Sequence, residues 1–114
     1  MNNQTSHRAF QEPLVVTCDQ KEYDISTRND FLKILAPTFE APSVVVDMSR
    51  VEYLDSSCLS KLMLMRQKRR EAGLKPARLV IRSSKVKRLF EVTSFDKMWA
   101  IFDTLTSALK SGNY

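Results

Sequence analysis

The stretch VVVDMSRVEYLDSSCLSKLMLMRQKRREAG, Val44 to Gly73, decides how this chain folds. Val44, Val45 and Val46 are consecutive β-branched residues. With Asp47 and Met48 they read as a buried strand, because such side chains pack on a pleated surface and leave no polar helical face. From Leu59 the period changes. Leu59, Leu62 and Met63, with Cys58 and Met65 on an adjoining stripe, recur at helical spacing, while Lys61, Lys68, Arg69 and Arg70 fall elsewhere. The residues between must turn strand into helix. Asp55 suits an N-cap, its carboxylate accepting from free amides of the first turn, and Gly73 sits where a left-handed C-terminal residue belongs. Ser56 and Ser57 therefore open a helix.

A helix N-terminus presents unpaired N–H groups and partial positive charge to a nearby anion. A phosphate on a serine there is well placed. It adds about −1.5 to −2 of charge beside Asp55, enough to reverse the electrostatics of a local binding surface. The same three residues, Asp55, Ser56 and Ser57, also serve as plain caps, and composition does not separate the two roles.

The run V-V-V-D-M-S-R-V-E-Y-L-D-S-S-C-L, Val44 to Leu59, resembles the STAS domain, the fold of bacterial anti-sigma factor antagonists. That family's signature is an apolar strand ending D-x-S or similar, a short link, then D-S-S-G-L opening a helix. Ala77 to Phe95, with V-K-R-L-F-E-V-T at Val86 to Thr93, looks like the family's next strand and helix. The likeness runs from Leu14 to Leu109. It implies an α/β fold: a single STAS domain, a mixed β-sheet covered by about four helices, with the serine helix starting at an exposed end of the sheet.

The resemblance also implies a substrate and a switch. In STAS antagonists a serine kinase that doubles as the anti-sigma factor phosphorylates the first serine of D-S-S, here Ser56. The unmodified form binds that kinase and frees the sigma factor, and a PP2C-type phosphatase restores it. Ser56 is then the acceptor, with Asp24, Asp55, Ser57 and Cys58 as partner-binding surroundings. The alternative is a non-phosphorylated STAS scaffold or ligand-binding module in a larger signalling assembly. Two positions depart from the family. Lys21 stands where a glycine precedes the Asp24 loop, and Cys58 stands where glycine follows the two serines. Cys58 has two readings: a small buried residue, or a redox-sensitive thiol acidified by the helix terminus.

The rest of the chain gives no competing chemistry. At 114 residues, with 43% hydrophobic and 27% charged residues, it suits one domain with a single core. Met1 to Glu12 is polar and is expected to be a flexible segment, apart from a short edge strand at Ala9 and Phe10; the domain is expected over 13–114. No apolar run approaches the ~20 residues that span a bilayer, so a cytoplasmic protein without membrane contact is expected. Cys18 and Cys58 are the only cysteines and are expected as free thiols. His7 is the only histidine and lies in the polar N-terminal stretch, so neither a Ser-His-Asp arrangement nor a metal ligand set is in view, and no enzymatic activity or cofactor is expected. The net charge of +5 raises nucleic acid as a partner, through Arg66, Lys68, Arg69, Arg70, Lys85, Lys87 and Arg88. With no zinc-finger spacing or RNA-binding aromatic motif, those cations read as solvated helix faces and dipole complements, and no direct nucleic-acid contact is expected.

In chain order, Leu14 to Cys18 is expected as a strand, continued by Glu22 to Asp24. Ser26 is expected to cap a helix bearing Phe31, Leu32, Ile34 and Leu35 that ends at Pro37. Arg78 to Arg82 reads as a strand, with Ser84 capping a helix that carries Val86, Leu89 and Phe90. Met98 to Phe102 reads as a last strand, followed by a helix capped by Asp103 with Leu105, Ala108 and Leu109 on one face. Met63, Leu64, Met65 and Trp99 read chiefly as core.

Overall fold

In the computed structural model, which describes residues 12–111, strands and helices alternate along the chain. They run β1 (Leu14–Thr17), β2 (Glu22–Tyr23), α1 (Arg28–Leu35), a 3-10 turn (Ala36–Phe39), β3 (Val44–Asp47) and β4 (Tyr53–Leu54). Then come α2 (Ser56–Glu71), β5 (Arg78–Val80), α3 (Ser84–Val92), a second 3-10 turn (Phe95–Lys97), β6 (Ala100–Phe102) and α4 (Leu105–Ser111).

The main sheet has the order β1-β3-β5-β6. Val16, Val46, Leu79 and Ile101 stand in register across it, so they share one face. Each parallel step needs a long crossover, and strands laid down in one direction by crossovers of one hand place their helices on one side. That is what the packing shows. Phe31 and Leu35 of α1, Leu62 and Met65 of α2, and Val86 and Phe90 of α3 meet Val44, Val46 and Leu79 in one core. Burying Leu62 or Phe31 completely contributes about 2–3 kcal/mol each by the area removed from water. The opposite face is covered by α4, whose Ala108 packs on Val45 and Val80 with Leu105 and Leu109 beside it. Arg78 fastens α4 in place, donating to the Ala108 carbonyl and the Ser43 hydroxyl, each at 2.6 Å.

A separate two-stranded sheet positions the functional region. β2 and β4 pair in parallel, Glu22 with Tyr53 and Tyr23 with Leu54. Their next residues are Asp24 and Asp55, so two short strands bring two acidic positions far apart in the chain to neighbouring strand ends.

The α/β architecture, with four α-helices among the described residues, is as expected, and several details differ. Every strand pairing among the described residues is parallel, not mixed; the edge strand expected at Ala9 and Phe10 lies outside the described residues, as does most of the N-terminal segment. Ser26 does not cap α1. Thr27 holds that position, and the Ser26 hydroxyl turns back to Asp24 at 2.6 Å. The cap of α3 is Ser83, one residue before the expected Ser84, accepting from the Val86 amide at 3.3 Å. At α4, Thr104 takes the amide of Ser107 at 3.1 Å while Asp103 is drawn away by Lys87.

The largest departure is Arg69. Its place in a basic run suggested a solvated cation, yet it is 1% exposed. Its guanidinium donates to the carbonyls of Thr38 and Ala41 at 2.6 Å each, of Lys75 at 2.9 Å and of Pro42 at 3.4 Å. A planar fork with five donors can gather carbonyls that the α1–β3 connection leaves without amide partners. Gly73 behaves as expected: at φ +73 it closes α2, with its amide on Arg70 and the Leu74 amide on Arg69.

Candidate functional site

Leu54 is buried at the end of β4 and fixes the chain entering α2. Asp55 follows with an extended backbone, φ −91 and ψ 175, and its carboxylate accepts from the amides of Ser57 at 2.9 Å and Cys58 at 3.3 Å. The Ser57 hydroxyl donates to the same oxygen at 2.5 Å. These bonds favour the anion, led by the Ser57 hydroxyl, and hold the Asp55 carboxyl below its ordinary 3.8. Ser56, the first helical residue, is exposed. The structure thus separates two serines that the sequence leaves equivalent: Ser57 is half-buried and engaged with the cap, whereas Ser56 faces solvent beside the free amides of the first turn.

The neighbouring loop is built by Asp24. Its carboxylate accepts from the Ser26 hydroxyl at 2.6 Å and the Ser26 amide at 2.9 Å, and the Asp24 amide donates to the Thr27 hydroxyl at 2.8 Å. Those bonds, the Ser26 hydroxyl first, lower the Asp24 carboxyl from its ordinary value. Asp24 is therefore brought beside the start of α2, as expected, but its carboxylate is engaged by its own turn. The loop is tied to the helix from two sides. The Asp55 amide donates to the Tyr23 carbonyl at 3.2 Å, and the Cys58 thiol lies 3.8 Å from the Asp24 carbonyl. Lys21, in place of a glycine, needs no left-handed backbone; its carbonyl accepts from Glu52 at 2.7 Å and Tyr53 at 3.1 Å.

Cys58 needs a correction. It is fully buried under the Asp24 loop and cannot contact a partner directly. Burial, more than any other influence, pushes its thiol above the ordinary value, the opposite direction from an acidified, redox-sensitive thiol. Cys18 is also buried, and its thiol is pushed up to about 12.

Sequence periodicity missed the apolar residues around this site. Ile25 is 64% exposed in the loop beside Asp55, and Tyr53, two residues before it, is 49% exposed. The available signal was their placement in loop and strand-end positions with no buried helical or strand face to serve. Charge is also divided: nine of the 13 acidic residues precede Ser56, and 13 of the 18 basic residues follow it. Met65 is buried and Met63 partly so, while Trp99 packs in an aromatic group with Phe90 and Phe95, centroids 6.2 and 5.6 Å away. Among the described residues no group of three or more His, Cys, Asp or Glu side chains could hold a metal ion, and no helix is long and apolar enough to cross a membrane.

The family model described as Mlab, STAS domain, matches residues 20–106. An anti-sigma factor antagonist from Mycobacterium paratuberculosis superposes with a TM-score of 0.71 at 25% identity, over 85% of this chain and 82% of that one. A Thermotoga maritima protein described as an anti-sigma factor antagonist gives 0.74 at 21% identity, over 95% and 99%. A sulfate transporter family protein from Wolinella succinogenes gives 0.62 at 17% identity, over 88% and 86%, a likeness of fold. No curated protein sequence matches the chain.

Proposed function

The chain belongs to the STAS-domain family, and from that premise we propose that it is a cytoplasmic anti-sigma factor antagonist that docks on an anti-sigma factor and is switched off by phosphorylation of Ser56. The observation that carries the proposal is the exposed Ser56 hydroxyl at the first position of α2, next to a neighbouring serine already engaged by the cap. The partner is a serine kinase that is also the anti-sigma factor; a PP2C-type phosphatase reverses the modification.

The switch works by charge. Unmodified, the surface formed by Ser56, Ser57, Asp55 and the Asp24–Thr27 loop accepts the partner. A phosphate carrying about −1.5 to −2 of charge beside Asp55 and Asp24 repels an acidic face and must be desolvated at the interface. Because the cap and loop bonds are internal to the domain, the modification needs no refolding.

Incubation with the cognate kinase and ATP, followed by peptide mass spectrometry, tests the assignment: phosphate is expected on Ser56, and modification elsewhere with Ser56 untouched overturns it. In pull-downs Ser56→Ala binds the anti-sigma factor constitutively and Ser56→Asp does not. The fold is shared with a sulfate transporter family protein, which fits one other reading, a non-phosphorylated STAS scaffold or ligand-binding module in a larger signalling assembly. That reading requires partner affinity to be the same for Ser56→Ala and Ser56→Asp.

A further inference from the structure

Leu54 and Val86 form the floor of a groove of about 320 Å³ between β4 and α3, walled by Tyr53, Leu89 and Val92. Val92 is 63% exposed, so with Tyr53 two large apolar side chains stand open to water at its mouth. Isolated exposed apolar residues need no explanation; a contiguous apolar groove with a polar rim does. The rim is charged. Lys85 and Arg88, both exposed, lie one turn apart on α3, and Glu52 is the one acidic lining residue. Arg88 meets Glu91 at 3.6 Å with both side chains largely in solvent, a contact that leaves the guanidinium available.

Resting on the reading of this chain as a partner-binding STAS module, we propose that the groove docks an amphipathic α-helix of a partner protein. Its apolar stripe lies on Tyr53, Leu89 and Val92, and its acidic flank lies on Lys85 and Arg88. The α3 side of the groove is a helical ridge at spacing i, i+3, i+4, i+7: Lys85, Arg88, Leu89 and Val92. Such a ridge is complementary to the ridges of another helix. The two cations supply the charge complementarity, drawing an acidic flank and excluding a basic one. Two lining residues, Tyr53 and Leu54, lead along the chain directly into Asp55 and Ser56. A partner helix seated there lies beside the serine.

The test uses the full chain, isotope-labelled for NMR, and a synthetic helical peptide with leucines at i, i+3, i+4 and i+7 and glutamates along one flank; a second peptide carries lysines in place of the glutamates. The acidic peptide is expected to shift the amide signals of Tyr53, Leu54, Leu89 and Val92. Val92→Asp, at a solvent-facing position, should weaken binding about tenfold or more. Lys85→Glu combined with Arg88→Glu should transfer the preference to the lysine peptide. Shifts confined to another face, or equal binding of both peptides, overturn the proposal. So does a concentration-dependent dimer in sedimentation that Val92→Asp abolishes, since the occupant is then a second copy. The outcome is separable from the phosphorylation reading. Peptide bound in the groove with Ser56 never modified leaves the groove standing and removes the switch; phosphate on Ser56 without groove binding does the reverse.

Discussion

The Ser57 hydroxyl donates to the Asp55 carboxylate at 2.5 Å, and the Ser57 amide reaches the same oxygen at 2.9 Å. One position earlier, Ser56 stays outside this arrangement and exposed. If that division governs the chemistry, Ser57→Ala still takes phosphate and Ser56→Ala does not. Phosphopeptide mapping of both variants after kinase treatment checks this; loss of phosphate from Ser57→Ala alone would reassign the acceptor.

The cap gives the fold an acid limit. The Asp55 carboxyl lies below its ordinary 3.8 because the Ser57 hydroxyl and the first-turn amides hold its anion. A depressed folded value means that the cap contributes fully above the ordinary carboxylate range, and that the contribution is lost as pH falls through the lowered value. Asp55→Asn keeps a capping oxygen but cannot titrate. Its melting temperature should therefore fall less steeply than the parent's below about pH 4, read by circular dichroism.

At the alkaline end Cys18 acts alongside Cys58 and Tyr23, which burial also raises. Burial, then the charges of Asp47 and Asp19, move the Cys18 thiol from 9.0 to about 12. The neutral thiol is the form the fold accepts, so stability is intact below 9.0 and declines from there toward 12 as the unfolded chain ionises first. Urea midpoints measured across that range should show the decline, and Cys18→Ala should flatten it while lowering stability at neutral pH. Neither Cys18 nor Cys58 should react with a thiol reagent in the native protein at neutral pH.

Arg69 is a positional anchor for the α1–β3 connection. Arg69→Met leaves the carbonyls of Thr38 and Ala41 without that donor and should cost about 3 kcal/mol in urea unfolding. Arg69→Lys should rescue only part, because an ammonium cannot reproduce the planar fork. Arg70→Met, at the exposed neighbouring position, should stay within about 0.5 kcal/mol of the parent.

Ser94 occupies the left-handed region at φ 62, ψ 16, where it links α3 to the second 3-10 turn. Replacing it with glycine relieves a backbone cost of about 1 kcal/mol, and the greater freedom of the unfolded chain takes back part of that. Ser94→Gly should raise stability by about 0.5 kcal/mol. A decrease would mean that the side chain supports the turn in a way its backbone angles do not reveal.

The central strand, the Asp55 cap, the run of α2 and the Gly73 stop were legible in the chain itself. They depend on local rules: β-branched runs, helical periodicity, a capping carboxylate, and a residue free to adopt positive φ. Those rules also placed Ser56 at a helix start. They failed wherever a side chain's partner is remote in sequence. Arg69 looks like one more cation in a basic run, and only the folding of the Thr38–Pro42 connection against α2 surrounds it with carbonyls. Asp103 looks like a cap until Lys87, 16 residues away, captures it. Cys58 at a helix N-terminus reads as a potential thiolate until the Asp24 loop covers it and desolvation prevails. The likeness from Leu14 to Leu109 placed Asp24 near the serine helix, and the pairing of β2 with β4 is what sets it there. Local sequence determined where the helix begins and which hydroxyls stand at its end. Tertiary structure decided which of the two is free, because that depends on what packs over the neighbouring residues.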